Sequence, residues 1–200
     1  MVAHNSWDNF ETGQFWNLII DLRPPPGQGH RILFQAAPGL IHSGTDFFVT
    51  SAGIIGTETT IGGFNRYDAD GLPEFQRIRR AMQYAGTLDD YVTILTSQNS
   101  GGYANSWLFG DVARDDIMRL ELGLRFWKVE VNPDCDYFIG FNAPYDPRIR
   151  NLECSNTGFA DLRRHQGARQ VRLADLMELH RGKITVDVAK EILADHYDVY

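Results

Sequence analysis

Residues 104–111 read Ala-Asn-Ser-Trp-Leu-Phe-Gly-Asp, and this stretch decides the fold that the sequence predicts. An apolar run ends at Gly110-Asp111, and a second run over residues 117–122 alternates apolar and charged side chains. Two β-like runs that are joined by a turn containing Gly and Asp predict a β-hairpin. A single carboxamide, that of Asn105, stands at the open end of this hairpin.

The side chain of Asn105 has two possible roles. Its amide group can donate two hydrogen bonds to an oxygen that becomes negative during acyl transfer. Alternatively, it caps the glycine-rich turn of residues 100–103, since asparagine is common in turns. Spacing alone favours the turn.

Further strands and helices are predicted on both sides of this hairpin. Strand-like patterns, rich in β-branched and aromatic residues, cover residues 14–22, 30–35, 47–51, 54–60, 125–131 and 137–141. Helical periodicity or capping signals mark segments that begin at Leu72, Thr87, Ala160, Arg172 and Val186. Strands and helices that follow one another in blocks favour an α+β fold over a parallel βαβ sheet.

The helix that begins at Leu72 has one apolar stripe. On its other face the pattern places Arg77, Arg79 and Arg80, which we expect to point to solvent. Residues 144–155 are expected to be irregular, because Pro144 and Pro147 interrupt regular pairing.

Composition excludes several classes of protein. Two hundred residues with 43% hydrophobic content suit one globular domain. The net charge of −7 argues against nucleic acid as a partner, and no apolar run approaches the length of a membrane span. The sequence has no P-loop and no dinucleotide fingerprint, and its six histidines never fall at paired metal spacing. We therefore expect neither a cofactor nor a metal ion.

The two cysteines are poor candidates for a nucleophile. Cys135 stands between Asp134 and Asp136, and Cys154 follows Glu153. Acidic neighbours disfavour the thiolate, which is the reactive form of cysteine. The sequence does not determine whether the two thiols pair with each other.

Other candidate site residues each have an ordinary alternative. His4 lies in a polar, aromatic corner, His-Asn-Ser-Trp-Asp (residues 4–8), where it could orient a nucleophile or simply be held in a turn. Thr60 could face a pocket or belong to an ordinary alternating strand. Arg148 and Arg150 flank a proline-bounded loop and could bind a carboxylate, although arginine is also common on surfaces.

Several motifs occur in a fixed order along nearly the whole chain. They are residues 2–7 (Val-Ala-His-Asn-Ser-Trp), 58–61 (Glu-Thr-Thr-Ile), 105–111, 119–123 (Arg-Leu-Glu-Leu-Gly), 140–153 (which include Asn-Ala-Pro-Tyr-Asp-Pro-Arg) and 192–198. In this combination the sequence resembles the phospholipase B-like family. It is also similar to the acyl-coenzyme A:isopenicillin N acyltransferase-like cysteine amidohydrolases.

The resemblance implies the fold and chemistry of an N-terminal-nucleophile hydrolase. That fold is an αββα four-layer sandwich, and a precursor cleaves itself to expose a cysteine that attacks an amide or ester carbonyl. The implied site roles are a pocket lining for His4 and Trp7, an acidic group for Asp8, a strand position facing the site for Thr60, an oxyanion donor for Asn105, and substrate-side loop positions for Arg148 or Arg150. We expect His4 and Asn105 to converge on one hollow between two stacked sheets.

The resemblance also implies that the catalytic cysteine is missing from residues 1–200. In such relatives the nucleophilic cysteine precedes the corner at residues 4–8, and neither Cys135 nor Cys154 occupies that position. We therefore expect residues 1–200 to be one partial domain, truncated at both ends, without the nucleophile strand and the C-terminal strands. The alternatives are a non-catalytic member that binds an acylated small molecule, and an inert fragment. Oligomeric state and cellular compartment are not determined by the sequence.

Overall fold

The computed structural model describes residues 1–155 and 157–200. The strands of this part of the chain are β1 (Leu18–Leu22), β2 (Ile32–Ala36), β3 (Phe47–Thr50), β4 (Ile54–Thr60), β5 (Asn105–Asp111), β6 (Asp116–Leu122) and β7 (Trp127–Val131). The helices are α1 (Phe10–Gly13), α2 (Glu74–Tyr84), α3 (Leu88–Thr96), α4 (Pro147–Leu152), α5 (His165–Leu179) and α6 (Val186–Leu193).

The strands form one antiparallel sheet in which they stand in the order of the sequence. The predicted hairpin is β5–β6, with Gly110 opposite Ile117 near the turn and Asn105 opposite Leu122 at the open end. The hairpin β3–β4 was also correctly predicted, as was the pairing of β1 with β2, although β1 begins only at Leu18. The connection between β4 and β5 contains α2 and α3.

Helices α2 and α3 cover one face of the sheet, which we call the helix face. Tyr91 of α3 is fully buried there and packs against Phe48 and Phe109, with ring centroids 5.8 and 4.9 Å apart. Thr87 begins α3 with a capping box, in which its side chain accepts from the N–H of Asp90 while the Asp90 carboxylate accepts from the N–H of Thr87. The cap predicted at Thr87 is therefore confirmed.

Arg77 contradicts the predicted polar stripe of α2. It is only 3% exposed, because its guanidinium donates to the carbonyl oxygens of Leu72 (3.1 Å) and Leu95. The arginine thereby ties the chain before α2 to the end of α3. A periodic pattern cannot distinguish a solvated arginine from one that satisfies buried carbonyl groups.

The opposite face is covered at β6 by the segment that follows β7. Glu121 of β6 is 1% exposed, and its two carboxylate oxygens accept from the backbone N–H groups of Tyr145 and Asp146, each at 2.7 Å. The Arg119 guanidinium, on the same face, lies 4.2 Å from the centroid of the Tyr145 ring. These contacts hold the chain at Tyr145 and Asp146 against β6.

Three sequence-based expectations about this segment were wrong. Residues 137–141 form no strand, and β7 pairs only with β6 among the described residues. Residues 147–152 are helical (α4) rather than irregular, because Asp146 caps the N–H of Arg148 and Pro147 occupies the first turn, where proline is tolerated. The helix predicted for residues 160–166 does not begin at Ala160, and the chain becomes helical only at His165, where α5 begins.

The expected α+β class is confirmed. The described residues contain one sheet, with α2 and α3 on the helix face and the segment that leads into α4 on the opposite face, and no second sheet is formed by them. On the face opposite to α2 and α3, the part of the sheet formed by β1–β3 is uncovered, since Ile19 is 65% exposed and Leu33 and Val49 are about two-fifths exposed. None of the described helices is long and apolar enough to cross a membrane.

Candidate functional site

The polar corner at residues 4–8 borders a cavity of about 610 Å³, which we call the amino-terminal cavity. Its walls come from the first residues, from α1 and from the strands β2 and β3. The lining residues include His4, Ser6, Asp8, Phe10, Trp16, Gln35, Thr45 and Phe47. Gln35 and Phe47 alternate with the core residues Phe34 and Phe48, so the cavity lies on the face opposite to α2 and α3.

The His4 imidazole is half-buried at this cavity. Burial lowers its pKa, and this effect is opposed in part by the charge of Asp46 and by a hydrogen bond to the backbone of Glu58. A histidine with a lowered pKa is neutral at pH 7 and can accept a proton.

Asp8 has a structural task at the mouth of the cavity. Its carboxylate accepts from the Thr12 hydroxyl and from the Trp16 indole N–H, both at 2.5 Å. These bonds, led by that from Thr12, lower the pKa of Asp8. The Trp16 ring packs so closely over Gly44 that a β-carbon at residue 44 would lie 2.1 Å from it.

Trp7 does not line either described cavity. Its side chain is 76% exposed, and the Arg169 guanidinium lies 5.4 Å from its ring centroid. The pocket-lining role that the family resemblance implies for Trp7 stays a prediction.

Asn105 and Thr60 are direct neighbours across β4 and β5. They share the helix face, since Asn105 alternates along β5 with the core residues Trp107 and Phe109. Asn105 is 1% exposed, and neither its side-chain nitrogen nor its side-chain oxygen has a hydrogen-bond partner among the described residues.

The turn-capping alternative for Asn105 is wrong. The glycine-rich turn is capped by Asn99, whose side-chain oxygen accepts from the N–H of Gly101 at 2.9 Å, and by Ser100. The expected convergence with His4 is also not found, because His4 and Asn105 stand on opposite faces of the sheet and share neither described cavity.

The two loop arginines are engaged by the protein itself. Arg148 forms an ion pair with the buried carboxylate of Asp146 at 2.6 Å. Arg150 donates to the carbonyl oxygens of Pro144 and Tyr145, and its guanidinium lies 4.0 Å from the Phe159 ring centroid. Both side chains therefore organise the segment around α4, and a substrate contact for either stays a prediction.

A second cavity, of about 460 Å³, lies on the helix face, and sequence reasoning missed it. We call it the carboxyl cavity, because three acidic side chains line it together with aromatic and apolar ones. Its lining includes Trp16, His42, Asp46, Phe48, Glu58, Tyr67, Glu74, Phe75, Met82, Tyr103 and Trp107. The one available signal was Glu58, a charged residue at a core-facing position of a buried strand.

The acids of this cavity hold protons more strongly than usual. Burial, followed by the nearby Asp46 carboxylate, raises the pKa of Glu58 well above its ordinary value. Burial also raises the pKa of Glu74 to about 7, although the neighbouring Arg77 lowers it. The Tyr103 hydroxyl donates to Oε1 of Glu58 at 2.9 Å.

The described residues offer neither an obvious thiol nucleophile nor a metal centre. Cys135 and Cys154 are both free, and neither lines a described cavity. Burial, and then the charge of Glu153, raises the pKa of Cys154 to about 11, so its thiolate is rare at pH 7. No group of three or more histidine, cysteine and acidic side chains in the described part of the chain could hold a metal ion.

Comparison with known families assigns the chain. A family model described as phospholipase B matches residues 1–123. The chain belongs to the phospholipase B family. The matched segment contains every residue that lines either cavity.

Curated relatives in this family are distant and much longer. Phospholipase B of Crotalus adamanteus is 26% identical over 170 residues, which are 75% of this chain and 31% of the relative. Putative phospholipase B-like 2 of Rattus norvegicus is 28% identical over 127 residues, which are 56% of this chain and 21% of the relative. The chain thus spans between a fifth and a third of these relatives.

Solved structures support the fold. A variant of conjugated bile acid hydrolase from Clostridium perfringens superposes with a TM-score of 0.53 at 11% identity, over 83% of this chain and 63% of that one. A second variant of the same hydrolase gives a TM-score of 0.52. The α+β fold of the chain is therefore similar to that of this bile acid hydrolase.

Proposed function

We propose that this chain is part of a hydrolase or acyltransferase that acts on linear amide or ester bonds through a cysteine acyl-enzyme. The observation that carries the proposal is the family match over residues 1–123, the segment that builds both cavities. The similarity of the sheet to a bile acid hydrolase supports the same class of chemistry.

The nucleophile would be a cysteine that precedes residue 1 in the intact protein. Its thiolate attacks the substrate carbonyl, the C–N or C–O bond breaks, and the amine or alcohol leaves with a proton. Water, or a second acceptor, then attacks the thioester and releases the acyl group and the thiol. The raised pKa of Cys154 and the absence of both described thiols from the cavities argue against a nucleophile within residues 1–155 and 157–200.

Two residues would assist this reaction. His4, neutral at pH 7 beside the amino-terminal cavity, would hold or orient a proton near the attacking group. Asn105 would donate its unpartnered side-chain N–H group to the oxyanion. Because these residues lie on opposite faces in the present chain, we expect only one of them to touch the reacting atoms.

A non-catalytic role is the second candidate, and the carboxyl cavity favours it. The cavity contains no thiol, and its size suits a small ligand with an apolar part. In this alternative the chain binds an acylated small molecule and does not cleave it.

The test is to express the protein with the coding sequence that precedes residue 1 and to follow it by intact-mass spectrometry. We expect self-cleavage in front of a cysteine, and then a burst of amine release from an N-acyl amide substrate. The matched control changes that upstream cysteine to alanine, which should abolish both events without loss of the folded state.

Intact mass that never changes, together with no burst from amide or ester substrates, would contradict the catalytic proposal. Binding of an N-acyl amide under those conditions would then favour the non-catalytic role.

A further inference from the structure

The proposed reaction makes no use of the carboxyl cavity as such. Its carboxyl groups belong to Asp46, Glu58 and Glu74, which lie just before β3, in the middle of β4 and in the first turn of α2. Asp46 has a φ of +64°, and its carbonyl oxygen accepts from the N–H of Glu58 at 3.0 Å, which brings the two acidic residues together. The fold therefore collects three carboxyl groups at one enclosed place.

No positive side chain among the described lining residues is available to pair with these carboxyl groups. Among the described residues that line it there is no lysine and no arginine. Arg77 lies one helical turn from Glu74, but its guanidinium is directed to the carbonyl oxygens of Leu72 and Leu95. His42 stacks on Phe75, and burial lowers the pKa of its imidazole, so it is neutral at pH 7.

One acceptor in the cavity has no donor. Glu58 is 2% exposed, and Oε1 accepts from the Tyr103 hydroxyl, while Oε2 has no hydrogen-bond partner among the described residues. Its close neighbour is the carboxyl group of Asp46, which can only repel it or share a proton with it. A buried carboxylate oxygen without a donor is costly, and an N–H group from a ligand would satisfy it.

The remaining walls suit an apolar group. The aromatic rings of Trp16, Phe48, Tyr67, Phe75 and Trp107 and the side chain of Met82 surround the acids. Aromatic faces attract cations and also pack well against aliphatic or aromatic groups. A ligand that matches this lining has a cationic end and an apolar body.

We propose that the carboxyl cavity binds a protonated primary amine, with its ammonium group at Glu58 and Asp46 and its apolar body against Trp16 and Trp107. A primary ammonium is favoured over a quaternary one because it supplies the N–H donor that Oε2 of Glu58 lacks. This site is independent of the acyl-transfer chemistry proposed above, and it can be tested with the present chain and no acyl substrate.

The experiment titrates the chain with 2-phenylethylammonium and with its neutral counterpart 2-phenylethanol, and measures both affinities by calorimetry at pH 7.5. Quenching of tryptophan fluorescence gives a second readout, since Trp16 and Trp107 line the cavity. We expect the amine to bind at least about tenfold more tightly than the alcohol, because only the amine places a charge and donors at the acids. Choline, which has the charge without N–H donors, should bind more weakly than the amine.

The test variant is Glu58→Gln, and the control is Asp187→Asn, which makes the same change in net charge. The Asp187 carboxylate lies on α6, is 86% exposed and lines neither cavity. Glu58→Gln should lower the affinity for the amine by at least about tenfold and leave that for the alcohol unchanged. Asp187→Asn should bind both compounds as the unmodified chain does.

Several results would overturn the proposal. They are no detectable amine binding, equal affinity for amine and alcohol, or a Glu58→Gln variant that keeps its preference for the amine while its circular dichroism shows a folded chain. Equal binding would mean that Asp46 and Glu58 simply share a proton and that the cavity is an apolar one. None of these results bears on self-cleavage or acyl transfer, so the two proposals fail separately.

Discussion

Asn105 is a buried polar residue for which the described structure shows no structural role. Its carboxamide makes no hydrogen bond to the described residues, whereas that of Asn99 makes two, to the N–H of Gly101 and the carbonyl oxygen of Gly123. Asn99 therefore has a clear structural task, and Asn105 has none in the chain as described. An unpartnered buried amide persists when its partner is a ligand or a reacting atom.

Replacing Asn105 with alanine should change stability little. The substitution removes two unpartnered buried atoms, so we expect the free energy of unfolding in urea to change by less than about 1 kcal/mol. In the protein extended with its upstream segment, the same change should lower turnover at least about tenfold. Unchanged turnover would remove Asn105 from the reaction.

Asn99→Ala is the matched comparison. Because it breaks two hydrogen bonds at a half-buried turn, it should cost about 1–3 kcal/mol of unfolding free energy. If both variants lost equal stability, the structural distinction between the two amides would be wrong.

Single residues also mark the limit of what the sequence predicted about the sites. Asn105 stood out because it is polar at the end of an apolar strand. The meeting of Asp46, Glu58 and Glu74 could not be predicted, because they are separated in the chain and come together only when α2 packs over β3 and β4. Such a cluster depends on tertiary packing, which no local pattern contains.

At the scale of elements, two buried carboxylates fix the segment between β7 and α5. Glu121 binds the backbone ahead of α4, and Glu153, which is 1% exposed, accepts from the N–H groups of Arg125 (2.7 Å) and Leu124 (3.1 Å). Carboxylates that accept backbone N–H groups replace the regular pairing that a sheet would supply. They explain why residues 137–155 stay ordered without forming strands.

Glu153→Ala should therefore be strongly destabilising. It leaves two backbone N–H groups without their acceptors, and we expect a loss of about 3 kcal/mol in unfolding free energy, measured by urea denaturation. Glu191→Ala, at an exposed position on α6, is the control and should stay within about 0.5 kcal/mol of the parent. A loss at residue 153 no larger than that at residue 191 would contradict the bracing role.

Elements defined by strong local signals were predicted well, and the others were not. The β5–β6 hairpin and the cap at Thr87 carry their own turn or capping chemistry, so their prediction needed no tertiary information. Residues 137–141 have strand-like side chains, but Phe141 packs instead against the rings of Tyr145 and Phe159. Pro147 predicted an interruption of regular structure. It instead occupies the first turn of α4, which Asp146 caps.

At the scale of the whole molecule, the buried acids set a dependence of stability on pH. The pKa of Glu74 rises to about 7 from 4.5, so between these values the folded chain holds a proton that the unfolded chain has lost. Stability must then fall as pH rises through this window and level off above it. Across this window the titration of Glu74 lowers the free energy of unfolding by roughly 3 kcal/mol, because one pKa unit corresponds to about 1.4 kcal/mol.

The variant Glu74→Gln removes this titration. We expect urea denaturation between pH 4.5 and 8 to show a shallower fall in stability for the variant, and a variant that is the more stable protein at pH 8. Parallel curves for the two proteins would mean that the Glu74 carboxyl is solvated and titrates normally in the folded chain.

The order of the strands in the sheet has a consequence for how the chain reaches its fold. Since every strand is hydrogen-bonded to the strand that comes next in the sequence, most of the sheet can grow by successive short closures. The exception is the step from β4 to β5, where the 44 intervening residues between Thr60 and Asn105 include α2 and α3. Ordering that stretch costs the most chain entropy, so we expect it to be the slow step in refolding. The same step encloses Asp46, Glu58 and Glu74 in the carboxyl cavity.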